Sequence, residues 1–356
     1  MNIFKMKPKL PTNSYKGGAE DFSGFIRLSS NENNFGPSPK ALAAIRKNTK
    51  FSNVYPELDG QSLINQISKF NKINSNQIIL GAGSDEVLQM IFAAFTSPKD
   101  QVVYTRYAFA MYAIYARNFK CSPKIFNDNK FQFSLKELLK LVSPKTKLIL
   151  LANPNNPTGS IFFEKELIDF LNKINKKTIV VLDGAYIEYI DDKRFNGGIS
   201  LVKKYPNLIV TRSFSKIFAL GGMRVGWGYS SLENITKLYA HKKPFNVSRL
   251  SIEAASATLN DQKWLERCAK SNEIVKKYTL SNIKNRSCQA IGTMANFILL
   301  KFDKKSDAQR FVDYLYKNKI TVRSLASYGL PDYIRMTIGT KLDMTKTVKI
   351  INKFNV

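Results

Sequence analysis

From about Asn76 onward, short uninterrupted apolar runs alternate with stretches in which apolar residues recur every three or four positions. Gln77-Ile-Ile-Leu80, Gln101-Val-Val-Tyr104, Lys147-Leu-Ile-Leu-Leu151, Thr178-Ile-Val-Val-Leu182 and Leu208-Ile-Val210 are continuous rather than alternating. A strand buried on both faces reads this way. Between them Leu135, Leu138, Leu139 and Val142 stand at i, i+3, i+4 and i+7, and Leu167, Phe170, Leu171 and Ile174 repeat that spacing. Such stripes predict amphipathic helices covering the sheet, and a further helix is expected over Val87–Phe95, opened by the junction at Gly81–Glu86. Strands alternating with helices predict an α/β fold with a doubly wound, mostly parallel central sheet, whose ligands gather beyond the carboxyl ends of the strands. After Tyr229 the pattern changes to long polar helices over 231–241 and 248–285, strand-like segments near Asn296–Leu300, Thr321–Arg323 and Tyr333–Ile338, and a final helix from about 342. The predicted division is an N-terminal arm at 1–40 that joins the small domain, a large domain at 41–240, and a smaller α+β C-terminal domain at 241–356.

A chain of 356 residues is long enough for two cores, and 44% hydrophobic with 23% charged residues is ordinary globular usage. The charge is not ordinary: 55 Lys+Arg against 27 Asp+Glu gives +28. A nucleic-acid arm concentrates such charge in blocks, whereas here pairs such as Lys176-Lys177, Lys242-Lys243 and Lys304-Lys305 are scattered. The pattern reads as solvated helix ends and loops, with no nucleic-acid partner and at most a field that attracts small anions. Cys121, Cys268 and Cys288 share no metal or redox spacing, and the single histidine, His241, cannot build a zinc cluster. No metal site is expected. Met1–Leu10 is basic without an apolar core, and no apolar run approaches a membrane span, so the expectation is a soluble cytoplasmic protein with no membrane partner.

Four segments carry candidate chemistry, each at a predicted strand end. Gly81-Ala82-Gly83-Ser84-Asp85-Glu86 leads from a strand into a helix, a junction that serves as a phosphate cradle or as a plain turn. It lacks the third glycine of a dinucleotide fingerprint and has no P-loop lysine. Asn153-Pro-Asn-Asn-Pro-Thr-Gly159 follows a buried strand and has turn chemistry. Asp183, in Leu182-Asp-Gly-Ala-Tyr186, is either a cap or a carboxylate with a cationic partner. Thr211-Arg-Ser-Phe-Ser-Lys216, continuing to Arg224, suits a Schiff-base lysine beside a phosphate site. Ser213-x-x-Lys216 also matches the acylating serine of penicillin-binding proteins, but the S-D-N and K-T-G motifs of that class are absent. An amine, a carboxylate, hydroxyls and an anion cup are together the parts that pyridoxal 5'-phosphate requires.

These residues resemble the fold-type I, pyridoxal-phosphate-dependent aminotransferases, and within them the histidinol-phosphate aminotransferases. The likeness runs through Leu28-Ser-Ser-Asn-Glu-Asn33, Gly36-Pro-Ser-Pro39, Tyr55-Pro56, Gly81–Glu86, Asn155–Gly159, Asp183–Tyr186, Ser213–Lys216, Arg224-Val-Gly226, Pro244-Phe-Asn-Val247 and Arg335-Met-Thr-Ile-Gly339. It implies that Lys216 holds the cofactor aldehyde and that Asp183 pairs with the ring nitrogen. Asn156 and Tyr186 would hold the ring oxygen, and Phe109 would stack on the ring. Gly81, Ala82, Gly83, Ser84, Ser213, Ser215 and Arg224 would surround the phosphate, with Tyr55 donated by the partner subunit of a homodimer. Arg335 would clamp the substrate carboxylate, while Tyr15, Asn33 and Arg323 would face the rest of the substrate, Arg323 including its phosphate.

The implied reaction is amino transfer between L-histidinol phosphate and 2-oxoglutarate, giving 3-(imidazol-4-yl)-2-oxopropyl phosphate and L-glutamate in histidine biosynthesis. An aromatic-amino-acid aminotransferase and a threonine-phosphate decarboxylase of the same fold would use nearly the same cofactor residues. In one respect the sequence departs from the family: Gly184 stands where a glutamate commonly follows the aspartate. The expected consequence is a local packing change rather than lost chemistry.

Overall fold

The computed structural model describes residues 23–128, 131, 134–192, 194–195 and 197–355. Its strands are β1 (Ile26–Arg27), β2 (Ile78–Gly81), β3 (Gln101–Thr105), β4 (Ser122–Phe126), β5 (Thr146–Ala152), β6 (Ile179–Asp183), β7 (Leu208–Ser213), β8 (Gly226–Tyr229), β9 (Cys288–Ile291), β10 (Phe297–Phe302), β11 (Ile320–Thr321), β12 (Arg323–Ser324) and β13 (Tyr333–Thr337). The central sheet has the order β2-β8-β7-β6-β5-β3-β4. β4, β3, β5, β6 and β7 run parallel, and β8 is antiparallel to both β7 and β2.

All five continuous apolar runs form strands of this sheet, and both of their faces are covered. Ile79, Val102, Leu148, Leu150, Val181 and Ile209 pack into one hydrophobic cluster with Leu88, Ile91 and Phe92 of the helix Ser84–Phe95. The alternate positions Leu80, Val103, Ile149, Leu151, Val180, Leu182 and Val210 pack into the other, with Leu167, Phe170 and Leu171 of the helix Glu164–Leu171. Each such side chain stabilises the fold by about 1.5–3 kcal/mol relative to exposure, which fixes the register of a strand with no polar face. The stripe at Leu135–Val142 forms only one α-turn, Leu135–Leu138, before a 3-10 turn over Leu139–Leu141.

The C-terminal part is built on the antiparallel sheet β12-β13-β10-β9, packed against the helices Lys305–Lys317 and Lys341–Ile351. Thr340 and Asp343 cap the last helix reciprocally, Thr340 N–H donating to Asp343 Oδ2 at 3.1 Å and Asp343 N–H to Thr340 Oγ1 at 3.2 Å. The N-terminal segment joins this part: β1 pairs in parallel with β11, and Leu28 is buried in the same cluster. The predicted single helix over 248–285 is two helices, Arg249–Leu259 and Gln262–Asn282. Asn260 and Asp261 leave helical geometry between them, as short polar side chains that compete for backbone hydrogen bonds do. Ile252, Ala255, Leu259 and Cys268 pack into the core of the large sheet, whereas Val275 belongs to the small one. The long helix therefore spans both. No helix among the described residues is long and apolar enough to cross a membrane.

Candidate active site

In-register pairing brings the carboxyl ends of β5, β6 and β7 to one level, Ala152 opposite Asp183 and Asp183 opposite Thr211. Just beyond them lies a cavity of about 380 Å³. Of the residues proposed from sequence, Gly83, Ser84, Phe109, Asn156, Asp183, Tyr186, Ser213, Ser215, Lys216, Arg224, Arg323 and Arg335 all line it. They come from the carboxyl ends of β2, β3, β5, β6 and β7 of the large sheet, from Arg224 just ahead of β8, and from β12 and β13 of the small one.

Asp183 closes β6 with its carboxylate buried. Tyr112 Oη donates to Oδ2 at 2.9 Å and Thr211 Oγ1 to Oδ1 at 3.2 Å. Burial pushes this carboxyl above the usual range, while the two hydroxyls, the Arg212 charge and the Ala185 N–H act in the opposite sense. Tyr112 is itself fully buried, and burial with the neighbouring Asp183 raises its phenol, so it stays a donor. Its ring meets Phe109 edge to face at 6.0 Å. Arg212 explains the glycine at 184. Its guanidinium lies against Gly184, where an added Cβ would come within 2.0 Å of Nη1, and it donates to the carbonyls of Thr211 at 2.9 Å and Gly197 at 2.6 Å. The buried Glu188 carboxyl, raised to about 7 by burial, is held down in part by the same cation. The packing change is thus a buried arginine in the space a side chain would fill, with the supports of Asp183 intact.

The turn before the helix Ser84–Phe95 fits an anion. Gly83 has φ +87°, and a Cβ there would stand 2.7 Å from Arg224 Nη2. Gly226 allows the turn to approach, since its Cβ would lie 2.2 Å from Ser84 N. Arg224 Nη1 reaches Ser215 Oγ at 3.4 Å, and Ser215 N–H donates to Ser213 Oγ at 3.0 Å. A helix N-terminus, three hydroxyls and an arginine thus meet within one cup. Gly81 and Ala82 contribute differently from the expectation. Gly81 is buried in β2 with no room for a Cβ beside Val87 and the Gly83 carbonyl, and Ala82 N–H donates to Glu86 Oε2 at 2.6 Å. Asn246 also donates to Glu86, at 2.7 Å. These contacts shape the turn. Burial raises the Asp85 carboxyl, opposed by Tyr115 and Arg224.

Lys216 Nζ donates to the Ser30 carbonyl at 3.2 Å and stands 5.6 Å from the Tyr186 ring centroid. Arg335, buried, donates to Asn156 Oδ1 and to the Ser29 carbonyl, the latter at 2.7 Å. Asn33 does not line the cavity: its amide donates to the Ile217 carbonyl at 2.8 Å. Asn31, two residues earlier, does, and donates to Tyr186 Oη at 2.9 Å. Tyr55 is three-quarters exposed and stacks on Phe245 at 4.7 Å, outside the cavity of a single chain. Tyr15 lies outside the described residues. Sequence reasoning missed Asn31, Tyr112, Thr211 and Arg212. An arginine closing an apolar strand run and an asparagine amid small polar residues were visible signals, but their partners were not.

The pyridoxal-phosphate roles fit these observations without strain: the donor set of the cup suits a dianion, and a buried carboxylate, an amine and a phenol share the cavity with it.

The sequence pattern of the aminotransferase class I and II family matches residues 23–351. Among curated proteins, the chain is 36% identical to a histidinol-phosphate aminotransferase of Ruegeria pomeroyi, over 99% of this chain and 99% of that protein. It is 35% identical to the one of Pelagibacter ubique over the full length of both. Among solved structures, histidinol-phosphate aminotransferase from Sinorhizobium meliloti in complex with pyridoxal-5'-phosphate superposes with a TM-score of 0.87 at 24% identity, covering 92% of this chain and 90% of that one. With that match over almost its whole length, and a lysine, an aspartate and an arginine meeting in one cavity, the chain belongs to the class I and II aminotransferases.

Proposed function

We propose that this protein is a histidinol-phosphate aminotransferase, moving an amino group between L-histidinol phosphate and 2-oxoglutarate. The observation that carries the reading is the convergence of Lys216, Asp183, Asn156, Tyr186 and Arg224 on one cavity that also holds two arginines for substrate anions. The full-length identity to curated enzymes of that name supports it. Bound in this cavity, pyridoxal 5'-phosphate supplies an aldehyde that accepts amino groups and a pyridine ring that takes up electron density from a breaking C–H bond.

The chain's own residues do the rest. Ser84, Ser213, Ser215 and Arg224 hold the phosphate, and Phe109 covers a face of the ring. Lys216 would hold the aldehyde, and its free amine would serve as base and acid for the proton at the substrate's reacting carbon. Asp183, kept in place by Tyr112 and Thr211, faces the ring nitrogen and holds a proton on it. Tyr186 and Asn156 hold the ring oxygen. Arg335 takes the carboxylate of glutamate, and Arg323 forks onto the substrate phosphate or the side-chain carboxylate. Tyr15 is proposed to face the substrate as well.

We further propose a homodimer in which Tyr55 reaches the partner's phosphate cup. Support comes from exposed Phe51, Val54, Tyr55, Leu58 and Phe245, an apolar group that a second copy would cover. The division into a large and a small domain joined by the N-terminal segment is likewise our reading, with Arg249–Leu259 docked on the large one. Cys121, Cys268 and Cys288 are all free thiols, which suits a cytoplasmic site.

The test is borohydride reduction of protein reconstituted with pyridoxal 5'-phosphate. Loss of the visible absorbance and a reduced cofactor on the peptide containing Lys216 are expected, with turnover abolished in Lys216→Ala. A colourless protein unaffected by borohydride defeats the reading.

A further inference from the structure

Asn31 is fully buried and holds φ at +55°, a left-handed conformation that asparagine tolerates better than most residues. Thr337 of β13 and Asn296, just ahead of β10, fix it there. Its N–H donates to Thr337 Oγ1 at 2.9 Å, and Asn296 Nδ2 donates to its carbonyl at 3.0 Å. Thr337 Oγ1, already accepting from that N–H, uses its own proton on Asn31 Oδ1 at 3.2 Å. With Oδ1 turned toward Thr337, Nδ2 faces Tyr186 and donates to its hydroxyl oxygen at 2.9 Å.

An amide nitrogen only donates, so the Tyr186 oxygen accepts on that side and its proton points away from Asn31. The groups around the phenol that carry charge are Lys216, Arg335 and Asp183. Lys216 and Arg335 are cations and cannot accept, and the Asp183 oxygens accept from Tyr112 and Thr211 instead. The remaining direction is the cavity that Tyr186 lines.

We propose that Asn31 is a positioning residue for amino transfer: it aims the Tyr186 hydroxyl proton at the ring oxygen of the cofactor, and through Thr337 and Asn296 it ties that donor to the small domain. The inference rests on the cofactor reading above. Its physical content is directional, since a donor on an anionic ring oxygen favours the anionic form, and a donor turned away does not.

The experiment is a pH titration of the visible absorbance of the protein loaded with pyridoxal 5'-phosphate, compared among wild type, Asn31→Gly and Asn31→Asp. Both substitutions accept a positive φ. Glycine removes the amide without adding charge, and aspartate replaces the donor with an acceptor that draws the Tyr186 proton to itself. The titration midpoint is expected to rise by about half a pH unit or more in Asn31→Gly and further in Asn31→Asp. Thr337→Val removes only the hydroxyl that orients the amide. It is expected to raise the midpoint in the same sense, and it decides the question if neither Asn31 variant folds. A wild type that shows no absorbance band defeats this inference together with the cofactor reading. A coloured wild type whose midpoint is matched by Asn31→Gly, or by Thr337→Val where that variant decides, overturns the inference alone.

Discussion

Gly184→Ala inserts a methyl group where the Arg212 guanidinium lies. The new Cβ would stand 2.0 Å from Nη1 and 2.7 Å from Cζ, against a comfortable separation of about 3.5 Å, so the guanidinium must retreat by roughly 1.5 Å. It is only 3% exposed and has no solvent to move into. Both of its bonds, to Thr211 O at 2.9 Å and Gly197 O at 2.6 Å, are lost or badly stretched. Hydrogen bonds to a charged group contribute about 1.5–3 kcal/mol each, and a buried cation left without partners costs more, so the expected loss is about 3–5 kcal/mol. The assay is urea unfolding of Gly184→Ala in the wild-type and Arg212→Met backgrounds, with cofactor saturating throughout. The alanine should cost about 3–5 kcal/mol in the first background and less than about 1 kcal/mol in the second. Equal costs in both, or a change below about 0.5 kcal/mol in the first, would refute the packing argument.

Asp183→Asn keeps the shape that Tyr112 and Thr211 hold but removes the charge, and should lower kcat for glutamate formation by about a hundredfold or more; a rate within about threefold of wild type contradicts the assigned role. Gly83→Ala strains a backbone at φ +87° and puts its Cβ 2.7 Å from Arg224 Nη2, so the dissociation constant for pyridoxal 5'-phosphate should rise about tenfold or more in an equilibrium titration, and an unchanged constant argues against the phosphate cup. Glu188 titrates at about 7 in the fold against an ordinary 4.5, so between those values the folded protein keeps a proton that the unfolded chain has released. Its contribution is complete below about 4.5 and is lost as pH rises through about 7, a fall of about 3 kcal/mol in stability. Glu188→Gln should flatten that part of the stability profile, and a slope identical to wild type between pH 5 and 8 (roughly the titration window) rules out the assignment.

Periodicity revealed the strands buried on both faces and little about their neighbours. β8 reads Gly-Trp-Gly-Tyr, with two glycines that suppress any strand signal, yet it sits between β2 and β7 and reverses the direction of the sheet at that point. β4, Ser-Pro-Lys-Ile-Phe, is an exposed edge with a proline, the composition an edge strand tolerates and a pattern reader passes over. In the site, residue types with unusual chemistry were legible: Lys216, Asp183 and Arg224 each stand at a strand end or turn where their kind is costly or useful. Their supports were not. Asn31 gains its meaning from Tyr186 and Thr337, 155 and 306 residues away, and nothing in Leu28–Asn33 distinguishes it from Asn33. Gly184 likewise makes sense only once Arg212 is seen folded back against it. The excess positive charge remains mostly a surface property, with Lys216, Arg224, Arg323 and Arg335 the cations that line the cavity.

Glutamate formation from 2-oxoglutarate with L-histidinol phosphate, phenylalanine or tyrosine as amino donor, alongside carbon dioxide release from threonine phosphate, tests the central claim most directly. A site with Arg323 committed to a phosphate should turn over histidinol phosphate with a kcat/KM about a hundredfold or more above either aromatic amino acid, and should release no carbon dioxide. Equal or faster turnover of phenylalanine or tyrosine, or decarboxylation of threonine phosphate, would contradict it.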